Sequence, residues 1–258
     1  IDAGKIEEAI KYYDKSIQLD PNLSWEVGKV VKLAPEGLSK EDLLKQYEEM
    51  ISSYPDLAYG YFAKGLCLHE LNQKEEAVKF FEKAIELDPN FAYSYFHKGN
   101  SLDDLGRKEE ALEYFDLTLK KDPKFARAFN GKGITLGDLG KIEEAVKSYD
   151  RAIMIEPTYA NAYQWKGTAL LRAGLTKEAI SCYDKAIEID PRCIDAYYNK
   201  GNALTGLGMV TEALACYDRV IELNPRHASV YHNKGSILLV MGKLEETLAC
   251  FKIGRAHV

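Results

Sequence analysis

DAYYNKGNALTGLGMVTEALACYDRVIELNPR, residues 195–226, carries no evident catalytic group, yet its last proline decides the reading of the chain. Counting back from Pro225 in steps of 34 residues reaches Pro191, Pro157, Pro123, Pro89, Pro55 and Pro21. Seven of the eight prolines therefore share one phase. A period of roughly 20–50 residues marks stacked structural units. The 258 residues read as one quasi-linear array with local contacts, not as the one or two domains that length alone would suggest.

With each proline at unit position 32, the other positions fall into line. Position 4 is aromatic (Tyr61, Tyr95, Phe129, Tyr163, Tyr197, Tyr231), position 8 is Gly65, Gly99, Gly133, Gly167, Gly201 or Gly235, and position 11 is leucine, as at Leu204. Position 20 is small, as in Ala77 and Ala213, with Thr247 in the last unit, and position 24 is aromatic again, from Tyr13 to Phe251. Spacings of three and four put positions 4, 8 and 11 on one helical face and positions 20, 24 and 27 on another. Glycine at 8 and alanine at 20 remove bulk where two helices should cross, and the rings fill the space on either side. A glycine at position 15 (Gly106, Gly140, Gly174, Gly208, Gly242), or Asn72, suits a left-handed helix stop. Proline at 32 ends the second helix because it lacks an N–H and restricts its predecessor.

Aromatic-x-x-x-Gly-x-x-Leu, then Ala-x-x-x-aromatic, then Pro resembles the tetratricopeptide repeat, with lysine at position 7 where leucine is more usual. The resemblance implies an all-α fold, a right-handed α-solenoid (superhelix) of antiparallel helix pairs. The expected layout is one array over 1–258: a partial repeat, second helix only, at 1–23; an aberrant repeat at 24–57; full repeats at 58–91, 92–125, 126–159, 160–193 and 194–227; and a last one at 228–258. In the aberrant repeat Val31, Leu38 and Leu43 replace the small residues and should splay the hairpin, while Pro35 should shorten its first helix. Both ends read as cut. Residues 253–258, IGRAHV, leave the pattern and read as a non-native tail translated from sequencing-adapter read-through.

Net charge is −6 with the two signs interspersed, so no basic stripe exists to neutralise phosphates, and nucleic acid is not an expected partner. No apolar run approaches the roughly 20 residues of a membrane helix, and no membrane partner is expected. Cys182, Cys216 and Cys250 recur one unit apart. Stacked hairpins lie roughly 8–10 Å apart, beyond the ~7 Å reach of a disulfide, so the five cysteines read as reduced apolar residues of a cytoplasmic chain.

Candidate chemistry resolves into decoys. GKGITLG (131–137) looks like a phosphate loop but falls inside a predicted helix with no strand before it. His69, Glu70 and His97 could approach one another, yet they lack close ligand spacing. No serine or cysteine stands beside a base and an orienting group. No catalytic, cofactor or metal site is assigned, and the chain reads as a non-enzyme. The lysines at position 7 (Lys64, Lys98, Lys132, Lys166, Lys200, Lys234) read as scaffold, each stem packed along the hairpin and each amine paired with a nearby carboxylate or water.

What differs between units can select a ligand. In tetratricopeptide arrays the first helices line the concave face. That resemblance assigns a peptide-binding groove to Tyr59, Phe62, Tyr93, Phe96, Asn100, Arg127, Asn130, Asn161, Gln164, Trp165, Arg172, Tyr198, Asn199, Asn202, His232 and Asn233. Amides offer both donor and acceptor to a peptide backbone, and aromatics supply anchors. Asn199 and Asn233 at position 6, with Asn100 and Asn202 at position 9, are partly similar to the asparagine ladder in the repeats of O-linked N-acetylglucosamine transferase. The basic clamp for an acidic C-terminal tail is missing, with only Arg127 at such a place. The expected function is a non-catalytic scaffold binding an extended or helical peptide, neutral to basic and partly apolar. The alternative is a recruiting arm of an enzyme whose catalytic domain lies elsewhere, and a third reading is self-association through uncapped ends.

Overall fold

Proline turns and left-handed stops divide the chain into short helices of nearly equal length. The computed structural model describes residues 39–256, and these residues form thirteen helices and no strand. They are α1 (Lys40–Ser53), α2 (Ala58–Glu70), α3 (Lys74–Leu87), α4 (Ala92–Asp104), α5 (Lys108–Lys121), α6 (Ala126–Asp138) and α7 (Ile142–Ile155). Then follow α8 (Ala160–Arg172), α9 (Thr176–Ile189), α10 (Ile194–Gly206), α11 (Val210–Leu223), α12 (Ala228–Val240) and α13 (Leu244–Ala256).

Contacts divide the chain into two units, Ile1–Tyr114 and Phe115–Val258, the division falling within α5. In the first, α2 packs on α1, α3 and α4, and α3 packs on α4. In the second, α6 packs on α7, α8 on α9, α10 on α11 and α12 on α13, while each second helix also packs on the first helix that follows it. First helices touch one another as well, α6 with α8 and α8 with α10. This succession of neighbours only is that of an all-α helical-repeat solenoid, as the periodicity implies.

The punctuation works as the sequence indicates. Gly106, Gly140, Gly174, Gly208 and Gly242 all have φ between 73° and 79°, and Asn72 takes the same region at 62°. The second helices end two residues before each proline. There the Asp or Asn preceding the proline accepts the backbone N–H two residues on, as Asp88 does from Asn90 at 2.9 Å and Asp190 from Arg192 at 2.9 Å. Two position-4 tyrosines lock the same turn: the hydroxyls of Tyr95 and Tyr231 donate to the carbonyls of Pro89 and Pro225, both at 3.1 Å.

The position-8 glycines do more than let two helices approach. A Cβ on Gly65, Gly133, Gly167, Gly201 or Gly235 would lie 2.6–2.7 Å from the ring at position 24 of the same repeat. They thus also seat that ring. The helix backbone also comes near at Gly167, where the carbonyl of Ala179 would be 3.1 Å from such a Cβ.

Of the aberrant repeat, Val31, Pro35 and Leu38 lie outside the described residues. Its second helix, α1, opens on a capping box between Ser39 and Asp42 and buries Leu43 and Tyr47 against Ala63 and Cys67. Residues 1–23 also lie outside the described part. At the other end, the departure of 253–256 from the repeat pattern does not end α13. Gly254 is buried, and a Cβ added there would stand 3.3 Å from the Cβ of Tyr231.

Candidate functional site

Six lysines at position 7 form one regular set of ion pairs. Lys64 meets Glu48 at 2.8 Å, Lys98 meets Glu82 at 2.5 Å, Lys132 meets Asp116 at 2.5 Å and Lys166 meets Asp150 at 2.6 Å. Lys200 meets Asp184 at 2.5 Å, and Lys234 pairs with Asp218. The acid always lies sixteen residues earlier, at position 25 of the preceding second helix. Burial disfavours charge on Lys166 and Lys200, but the hydrogen bond and charge of the partner aspartate outweigh it and hold both pKa values above normal. These amines are occupied as scaffold and do not form an anion track.

In the first unit the first-helix face is aromatic. Tyr59 and Tyr93 are half-buried, whereas Phe62 is fully buried and Phe96 nearly so. Phe62 packs edge-on to Phe91 at 4.8 Å, and His97 stands between the rings of Phe62, Phe81 and Phe96. Phe62 is therefore core, which corrects its assignment to an open groove; the tolerance of position 5 for a ring left the two roles indistinguishable in sequence. Asn100 is half-buried. His69 does not join His97: its Nδ1 lies 2.9 Å from Ser101 Oγ and its Nε2 3.6 Å from Asp104. Ser101 is fully buried, so this Ser–His–Asp set offers a substrate no nucleophile. Burial lowers the pKa of His69 despite the nearby Asp104. The acids of this face are already matched by the protein's own cations, Asp104 by Lys74 at 2.9 Å, Asp103 by Lys108 at 3.2 Å and Glu70 by Lys40 at 3.3 Å.

In the second unit the amides behave differently from one another. Asn130 and Gln164 are buried, Arg127 is half-buried, and Asn161, Trp165, Arg172 and His232 are exposed. Gly131, Gly133 and Gly137 lie within α6, so GKGITLG is helix and cradles nothing. Asn199, Asn202, Asn233 and Tyr198 are half-buried and interlock. The Nδ2 of Asn199 donates to Thr168 Oγ1 at 3.4 Å, which also takes the hydroxyl of Tyr183 at 3.4 Å and Gln164 Nε2 at 3.2 Å. One repeat later the geometry recurs. Asn202 Oδ1 accepts from Asn233 Nδ2 at 2.8 Å and from the Tyr217 hydroxyl at 2.8 Å, while Asn233 Nδ2 also donates to Tyr198 at 3.2 Å.

This linkage between repeats was not foreseen, because tyrosine at position 24 reads as a ring that fills space. The sequence carries no consistent signal for it: Tyr183 and Tyr217 accompany Thr168 and Asn202 at position 9, but Phe115 accompanies Asn100 and Tyr149 accompanies Ile134. Counting lone pairs shows what the linkage leaves over. Asn202 Oδ1 is saturated but its Nδ2 is not, and both N–H groups of Asn233 are used but its Oδ1 is not. Both side chains line a cleft of about 470 Å³, together with Thr205, Val210, Ser236, Ile237 and Met241. A second cleft of about 790 Å³ is lined by Tyr198, Ser229, His232, Asn233 and Phe251.

The five cysteines are free thiols, and burial raises the pKa of each. Among the described residues no three His, Cys, Asp or Glu side chains are grouped to hold a metal, and no helix is long and apolar enough to cross a membrane.

Comparison with known proteins adds four sets of family matches. Profiles described as tetratricopeptide repeat match residues 58–91 and 194–227, 80–113 and 216–249, and 1–23, and one described as TPR repeat matches 135–174 and 167–208. No curated protein sequence matches significantly. Among solved structures, YrrB, a TPR protein with an unusual peptide-binding site, is 27% identical with a TM-score of 0.54, covering 73% of this chain and 97% of its own. PilF of Pseudomonas aeruginosa is 17% identical with a TM-score of 0.70, covering 79% of this chain and 93% of its own. The anaphase-promoting complex assembly Cut9–Hcn1 is 16% identical with a TM-score of 0.74, covering 89% and 48%. The last two likenesses concern the fold alone.

Proposed function

This chain belongs to the tetratricopeptide repeat family, a family of protein–protein interaction scaffolds, and from that premise we propose that it binds an extended peptide along the first helices of residues 160–251. The observation that carries this reading is the pair left over by the amide linkage. Asn202 Nδ2 is a donor and Asn233 Oδ1 an acceptor, and both side chains line one cleft. That is what the C=O and N–H of a peptide backbone require, independently of its side chains. Exposed Trp165 and half-buried Tyr198 add flat apolar area of the kind that anchors partners. YrrB, similar over most of its length, is itself a peptide-binding TPR protein.

The ligand suited to this face is neutral to basic and partly apolar, and it is held chiefly by amides and rings, with exposed Asp195 the carboxylate of these first helices. Peptides selected from a random display library against the whole chain test the reading. Their affinity should fall at least tenfold in Trp165→Ala, Tyr198→Ala or Asn199→Ala, with the helical circular dichroism unchanged. Asn202→Asp keeps both accepted hydrogen bonds and replaces the free donor with a charged acceptor, and it should weaken those of the peptides that carry no net positive charge. Affinities unaltered in all four variants would overturn the assignment.

A further inference from the structure

The repeat at 126–159 lacks a hydrogen-bonding side chain where the next repeat has Thr168. There Thr168 Oγ1 receives Gln164 Nε2 at 3.2 Å and the Tyr183 hydroxyl at 3.4 Å. One repeat earlier the same position 9 is Ile134, which offers neither donor nor acceptor. The two groups that correspond to Gln164 and Tyr183 are left over. Asn130 Oδ1 is buried without a hydrogen-bond partner, and the Tyr149 hydroxyl bonds to no described residue.

Asn130 Oδ1 is enclosed, but the Tyr149 hydroxyl has a second donor near it. A Cβ on Gly137 would stand 3.9 Å from Tyr149 Oη and 3.8 Å from Arg172 Nη1. Both donors thus flank one point against α6. They converge there because position 12 carries no side chain in this repeat, whereas other repeats have His69, Asp103, Leu171, Thr205 or Leu239. Arg172 is exposed, with neither an ion-pair nor a hydrogen-bond partner among the described residues. The repeat pattern explains this. At the same position 13, Asp104 pairs with Lys74, position 17 of the preceding repeat; for Arg172 that place is held by Ile142. Asp138, beside Gly137 in the chain, is engaged within the fold. Burial and the charge of Asp138 raise the pKa of Tyr149 against the opposing charge of Arg172, so the hydroxyl keeps the proton it would donate.

We propose that Arg172 and Tyr149 form a subsite for the side-chain carboxylate of an aspartate or glutamate within the bound peptide. The guanidinium takes one carboxylate oxygen and the phenol donates to the other. A ligand that is neutral to basic overall carries one acid in this register. The subsite rests on the peptide-binding reading of this face and adds to it a choice of side chain.

The whole chain and its Arg172→Gln variant each select from one random peptide library with amidated C-termini. Peptides retained by the chain should be enriched in aspartate or glutamate at one position. Replacing that residue by its amide should weaken binding about fivefold, the scale of an exposed ion pair, and should change nothing against Arg172→Gln. Tyr149→Phe matches Phe81 and Phe115 at position 24, so it should leave the thermal midpoint unchanged while weakening the acidic peptides about threefold. Gly137→Leu sets between the donors the residue that Leu171 and Leu239 supply elsewhere, and it should abolish the acidic preference. Absence of acidic enrichment, the same enrichment against Arg172→Gln, or retention only from a parallel library with free C-termini overturns the subsite. The peptide-binding reading fails by a different result, affinities that ignore Trp165, Tyr198, Asn199 and Asn202. A chain that retains no peptide overturns both.

Discussion

A methyl group on Gly201 would stand 2.6 Å from Cε1 of Tyr217. Carbon atoms do not approach so closely, and the ring is fully buried, so it has nowhere to go without leaving its rotamer. Gly201→Ala should therefore destabilise the array by about 1–3 kcal/mol, more than the ~1 kcal/mol that alanine gains over glycine in a helix. Gly206→Ala, in the same helix but with nothing within 4 Å, should stabilise it by up to about 1 kcal/mol. Urea denaturation followed by circular dichroism separates the two. Equal stability of both variants would mean that the ring is not seated on the glycine.

Backbone conformation, not space, governs the position-15 glycines. Gly208 has φ of 73° and open surroundings, so Gly208→Ala should cost about 1 kcal/mol through left-handed strain alone. Asn72→Ala should cost less than Gly208→Ala, because asparagine already carries part of that strain. Thermal midpoints of the two variants check the order.

Lys98 differs from the other ladder lysines in depth. It is 4% exposed, bonds Glu82 at 2.5 Å and the Tyr114 hydroxyl at 2.6 Å, and lies 4.1 Å from the Tyr114 ring centroid. Glu82→Gln leaves that amine buried without its counter-charge and should cost about 2 kcal/mol. Asp184→Asn, which frees a more exposed Lys200, should cost less than about 1 kcal/mol. Similar losses in both would show that burial does not set the value of these pairs.

High pH should unfold the array cooperatively. Burial pushes the Tyr47 hydroxyl up to about 12 and raises Tyr149, Tyr183 and Tyr217 as well. An unfolded tyrosine ionises near pH 10, so above that pH the unfolded chain has lost protons that the folded one retains. Stability is then intact below about pH 10 and lost as pH rises toward the folded values; Lys166 and Lys200, also raised, act in the same direction. Tyrosinate absorbance should rise in step with the loss of helical circular dichroism. Gradual titration of these tyrosines with the helices intact would contradict their burial.

By itself the sequence determined the period, the helical class and the punctuation. Those features depend on what a residue can do locally: proline cannot continue a helix, and glycine or asparagine can turn left-handed. Only the tertiary structure decided which polar atoms remain for a partner. Asn130, Gln164, Asn199 and Asn233 look alike as amides, yet two are buried and two interlock with a neighbouring repeat. Hydrogen-bond capacity is shared across helices thirty or more residues apart, and no local pattern records how it is spent.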